Sequence, residues 1–159
     1  MKKLMLMTLL ALFCAQATMA QRATDVFNDF RDVRHVESTT IPKALVRIGA
    51  GQVKDGNVKE VMRGVDRMQI LDMDDCSKRN RKKFISRINE LEKYGYEEYG
   101  RMSGNNDNML ILTRSDKDKN MVREIVLLMT DKDDCTGILV EGNINPEDIE
   151  AIAGSVMDD

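Results

Sequence analysis

Apolar and polar positions alternate along this chain in two rhythms, one of strands and one of helices. The clearest strand signal is the unbroken run Ile125, Val126, Leu127, Leu128 and Met129 inside the stretch Met121 to Asn143. Consecutive apolar residues on a pleated strand point to opposite faces, so both faces of the sheet here are expected to be covered. After Thr130 the chain reads Asp131, Lys132, Asp133, Asp134, a loop of hairpin length, and Ile138, Leu139 and Val140 then resume the apolar pattern between Gly137 and Gly142. This predicts a hairpin in the middle of the sheet.

Helical spacing governs most of the chain before it. Val26, Phe27, Phe30 and Val33 share one helical face behind Thr24 as an expected N-cap, with Asp25, Asn28, Asp29 and Asp32 elsewhere. A short strand is expected over Val33 to Ser38. A helix then begins at Thr40, with Pro42 in its first turn and Ile41, Ala44, Leu45 and Ile48 as its apolar face, and Gly49 stops it. Asn57 is the expected cap of a short helix carrying Val58, Val61 and Met62 and ending at Gly64. Val65 to Met73 reads as a strand, and the longest helix follows, with Phe84, Ile85, Ile88 and Leu91 as its buried stripe. Strands are expected again at Tyr96 to Met102 and around Met109 to Leu112. Asn145 as N-cap, Pro146 at the first position and Glu147 and Asp148 in the first turn open a final helix with the face Ile149, Ile152, Ala153 and Val156. The plan is α+β: a single, mainly antiparallel sheet of five to six strands, ending in a four-strand meander, with helices packed on it.

If the long helix is a crossover, the strands starting at Val65, Tyr96 and Met121 run in the same direction and finish at one edge of the sheet. That edge then collects Asp72, Asp74, Asp75 and Cys76, the turn Asn105 to Asp107, and Asp131, Asp133, Asp134 and Cys135. Two turns even share a spelling, DMDDC and DKDDC. Oxygen-rich loops suit a hard cation, which makes Asp72, Asp74, Asp75, Asp131, Asp133 and Asp134 the candidate metal ligands. The calcium-loop signature fails, however, because Thr136 and Met121 stand where glycine is required. The expectation is therefore that Asp74 or Asp75 caps the long helix and the others are turn residues.

The N-terminus changes the compartment. Lys2 and Lys3 precede an apolar run from Leu4 to Ala15, and Thr18 and Ala20 provide small residues three and one before a cut between Ala20 and Gln21. This reads as a secretory signal peptide over residues 1–20; Cys14 follows Phe13, not the small residue a lipidated cysteine needs. Removing 20 of 159 residues leaves 139, the size of one domain over residues 21–159. Loss of Lys2 and Lys3 leaves 22 basic against 27 acidic side chains, a net charge of -5 that does not suggest a nucleic-acid partner. No later apolar run approaches the roughly 18 residues of a transmembrane helix. In an oxidising compartment the two remaining cysteines, Cys76 and Cys135, at one edge of the sheet, are expected to form a disulfide.

No catalytic constellation emerges. His35 is the only histidine, and Ser77, Ser86, Ser103 and Ser115 lack a nucleophile-elbow context. Gly49 and Gly51 follow a helix without the lysine and hydroxyl of a phosphate-binding loop. The chain has no tryptophan and three tyrosines, so the carboxylates have no aromatic platform for a sugar. Lys78, Arg79, Arg81, Lys82, Lys83, Arg87 and Lys93 make the long helix basic, which reads as a solvated face. No cofactor is implied.

The strand VDRMQILDMDD before a charged helix, the step Tyr94-Gly95-Tyr96-Glu97-Glu98, and VREIVLLMTDKDD followed by GILVEGNI together resemble the family called domain of unknown function 4252. The resemblance covers nearly all of the chain beyond residue 20. It implies a small exported protein of Gram-negative bacteria with one domain, and it carries no activity or catalytic residues. The resulting expectation is an exported periplasmic or envelope protein that works as a non-enzymatic binding, sensor or accessory module, with a protein or envelope component as partner. The alternative is a cation-dependent hydrolase using the acidic edge.

Overall fold

The computed structural model describes residues 21–150, apart from 106, 117 and 119. Helix α1 (Ala23–Phe30) is followed by strand β1 (Glu37–Pro42), helices α2 (Lys43–Ala50) and α3 (Gly56–Gly64), and strand β2 (Val65–Asp72). Helix α4 (Lys78–Asn89) runs into a short 3-10 turn (Glu90–Tyr94). Strands β3 (Glu97–Ser103), β4 (Asn108–Asp116), β5 (Met121–Thr130) and β6 (Cys135–Ile144) complete the sheet. Residues 146–150 are helical.

The six strands lie in the order β1-β2-β6-β5-β4-β3 and every neighbouring pair is antiparallel. Strands β3 to β6 are the expected meander, and the Asp131–Asp134 loop closes its last hairpin through the Asp131 amide on the Asp134 carbonyl. Because β2, β3 and β5 alternate with antiparallel neighbours, their C-terminal ends do share one edge, as the crossover reading required.

Both faces of the sheet are covered, which is why β5 can be apolar at consecutive positions. One face packs Leu71, Leu110, Leu112, Val126, Leu128 and Leu139 against α1 and α4. There Phe84 meets Phe27 and Phe30 edge-on at centroid distances of 5.6 and 5.2 Å. The other face packs Val65, Ile125, Val140 and Ile144 against Val46 of α2, with Val61 and Met62 of α3 and Ile149 beside them.

Several element boundaries differ from the sequence reading, each for a local reason. The first strand covers 37–42, not 33–38. It is an edge strand with Pro42 as its last residue, a position where proline is tolerated, and His35 falls instead in the preceding turn with a left-handed φ of 61°. Helix α2 consequently starts at Lys43 with Pro42 as its N-cap, and it buries Val46 and Ala50 while leaving Leu45 and Ile48 exposed. Helix α1 starts at Ala23 with Arg22, not Thr24, at its cap. Asp55, not Asn57, caps α3. Ser77 caps α4 by accepting the Asn80 amide at 3.3 Å, a role expected of Asp74 or Asp75. Asn145 accepts the Glu147 amide, as its sequence position implied. The expected signal peptide over residues 1–20, with Cys14, and the residues Ile152, Ala153 and Val156 of the expected final helix lie outside the described residues.

Candidate functional site

At the acidic edge the two DxDDC turns are brought together as a pair. Asp72 accepts the Asp74 amide at 3.0 Å, and Asp131 accepts the amides of Asp133 and Asp134 at 2.8 and 3.1 Å. The turns are then tied to each other: Asp74 Oδ1 accepts the Cys135 amide at 2.9 Å, Met73 donates to the Cys135 carbonyl, and Arg81 donates to the carbonyls of both Asp74 and Asp133. Asp131 is held below the usual carboxylate range by those amides, while the negative charges of Asp131, Asp74 and Asp133 push Asp134 up. Asp72, Asp74 and Asp131 thus each order backbone. Among the described residues no group of three or more His, Cys, Asp or Glu is gathered in a way that would hold a metal ion.

Cys76 and Cys135 do reach the same core cluster, yet the expected disulfide is absent and both thiols are free. The partner of Cys135 across the ladder is Met73; Cys76 lies three residues further on, in the turn closed by its amide on the Met73 carbonyl. Burial pushes the Cys76 thiol up, and burial together with Cys76 pushes Cys135 up to about 12, so both are protonated and unreactive at neutral pH.

On the face carrying α2 and α3, this same end of the sheet opens into a groove of about 620 Å³ floored by Met102, Met109 and Met129. Asp107, Asp131 and Asp134 stand on its rim, and Met102 is 52% exposed. Methionine is flexible and polarizable, which suits a surface that must fit a partner's side chains.

The opposite end of the sheet holds a feature the sequence reading missed. Four charged residues lie directly across from one another on four neighbouring strands: Arg67 on β2, Glu141 on β6, Glu124 on β5 and Arg114 on β4. The central pair is like-charged, which by itself is destabilising, and each glutamate is held by an arginine. Arg67 donates from Nε at 2.6 Å to Glu141 Oε2, whose other oxygen accepts Thr24 Oγ1 at 3.2 Å. Glu124, 5% exposed, accepts the Tyr96 hydroxyl and lies 3.5 Å from Arg114 Nη1. Tyr96 Oη in turn accepts the Ala23 amide at 2.8 Å, tying α1 to the row. Burial and the adjacent Glu124 carboxylate hold the Tyr96 hydroxyl well above the usual tyrosine range.

These residues form part of the wall of a cleft of about 570 Å³, to which Arg22, Asp66, Asp116 and Arg123 also contribute. A signal for it was present in the sequence. Glu124 has the same strand parity as Val126 and Leu128, so a charge stands on an inward-facing position. Other members of the row, however, are 57 residues away at Arg67 and 17 at Glu141, counted by position, and only the register unites them.

An antiparallel sheet with helices on both faces, carrying a charged cleft at one end and a methionine groove at the other, defines a small α+β protein with a concave surface at each end. Residues 30–152 match the family described as Domain of unknown function (DUF4252), and the chain belongs to that family. No curated protein and no solved structure matches it.

Proposed function

We propose that this chain is an exported, non-enzymatic binding module of the periplasm or cell envelope, engaging a protein or envelope partner through the methionine groove. The observation that carries this reading is the groove itself: methionine side chains lining a concave surface at one end of the sheet, with Met102 open to solvent and three carboxylates around them. Such a surface fits a partner segment that presents apolar side chains flanked by basic groups. The carboxylates available for acid and base work point the same way. Asp72, Asp74 and Asp131 accept backbone amides, and Glu124 and Glu141 sit beside Arg114 and Arg67. Among the described residues no helix is long and apolar enough to cross a membrane, which fits release from the membrane after processing at Ala20/Gln21.

A photo-crosslinking residue placed at Met102 in living cells tests the groove, with the same residue at Glu60 on exposed α3 as the control. A discrete adduct from Met102 alone, lost on Asp131→Lys, is the expected result; no adduct, or the same adducts from both positions, overturns it. Mass spectrometry of the protein released from the envelope should find Gln21 at the N-terminus, and an intact Met1 would remove the assignment to export.

A further inference from the structure

We propose that the charged cleft at the other end of the sheet binds a small oxyanionic ligand, a molecule carrying a carboxylate or phosphate group held by Arg22 and Arg123. This site is separate from the methionine groove.

Three features of the fold converge on it. The first is register. The β2/β6, β6/β5 and β5/β4 ladders all break register at this end, between Val65 and Arg67, between Val122 and Glu124, and between Arg114 and Ser115. Asp66 and Arg123 are residues left without a ladder partner at these breaks, and both line the cleft. Bulges re-aim side chains, and three of them on consecutive strand pairs turn one sheet end into a concave wall.

Charge is the second. The cleft is lined by the arginines 22, 67, 114 and 123 and by the acids Asp66, Asp116, Glu124 and Glu141. Three of the acids already have cations: Lys43 on Asp66, Arg67 on Glu141 and Arg114 on Glu124. Among the described residues, Arg123 donates only to the neutral Asn143 side chain at 2.8 Å, and Arg22 has no carboxylate within ion-pair distance. Two guanidiniums therefore face a single remaining acid, Asp116, whose Oδ1 accepts the Asp118 amide. The imbalance favours an anion, and the planar fork of a guanidinium matches a carboxylate or phosphate.

Rigidity is the third. The wall behind the two arginines is the row of Arg67, Glu141, Glu124 and Arg114, in which Glu124 is buried and the other three are half-buried, held by Tyr96 and Thr24. Its volume falls within the range of small-molecule sites.

Calorimetry of the purified protein at low ionic strength, with inorganic phosphate and separately with succinate as probes, tests the proposal. Saturable binding of at least one probe is expected, weakened about tenfold or more by Arg123→Gln or Arg22→Gln, only partly restored by Arg123→Lys, and unchanged by Met102→Glu in the distant groove. Tighter binding of phosphate identifies a phosphorylated ligand and tighter binding of succinate a carboxylate one. Melting temperatures near wild type are expected for the two glutamine variants, because neither arginine takes part in an ion pair among the described residues, so lost binding reports the site. No binding of either probe, equal heat from sodium chloride, or unaltered affinity in both glutamine variants overturns the proposal.

Discussion

Tyr96 shows how much one hydroxyl can hold together. It accepts the Ala23 amide at the start of α1 and donates to Glu124, and both it and Glu124 are at most 5% exposed. Tyr96→Phe leaves a buried amide without its acceptor and a buried carboxylate without its donor, so it should cost about 2 kcal/mol or more, read from urea denaturation at neutral pH. The same residue sets an alkaline limit. Its folded-state pKa is raised above the ordinary 10.0, so its contribution is complete below pH 10 and is lost as pH rises through the raised value. Cys135, raised from 9.0 to about 12, acts with the same sign from pH 9 upward. Stability should therefore fall above pH 9, and the fall above pH 10 should be shallower in Tyr96→Phe. A profile independent of that substitution would show that Tyr96 titrates as it does in the unfolded chain.

At the scale of elements, caps and docking angles separate pattern from contact. Helix α4 is strongly basic, but two of its arginines are structural: Arg81 joins the paired turns, and Arg87 reaches Asp29 at 2.6 Å while lying 5.9 Å from the Phe30 ring centroid. Its cap is Ser77, so Ser77→Ala should destabilise the protein by about 1 kcal/mol, whereas Asp75→Ala should be close to neutral; thermal melting of the two variants ranks them. The reverse order would restore the aspartate cap inferred from composition. Helix α2 carries the same lesson. Ile41, Ala44, Leu45 and Ile48 have helical spacing, yet Pro42 joins β1 to α2 without a loop, and the docked helix turns Val46 and Ala50 inward.

For the molecule as a whole, covalent closure is not what holds the sheet together. The free, buried thiols lie in a core shared by α1, α4 and four strands. The thiols of Cys76 and Cys135 should accordingly both titrate after unfolding without reductant, and the urea midpoint should not change when reductant is added. Absence of free thiol in a monomer would mean that Cys76 and Cys135 close a loop after all, worth about 4 kcal/mol by chain entropy.

Periodicity determined the α+β plan, the meander and the stripe of Phe84, Ile88 and Leu91, because burial on a strand or helix repeats over neighbouring positions that a linear reading can see, and the crossover rule added the acidic edge. The family was legible for the same reason, since its marks are local runs. What only the tertiary structure decided depends on pairs far apart in the chain. The row Arg67, Glu141, Glu124 and Arg114 exists because four strands fall into one register, and the cleft opens because bulges shift that register at its end. Cys135 faces Met73 and not Cys76 for a similar reason: sharing an edge places residues within a turn of each other, but contact is set by single-residue offsets that carry no mark in composition or spacing.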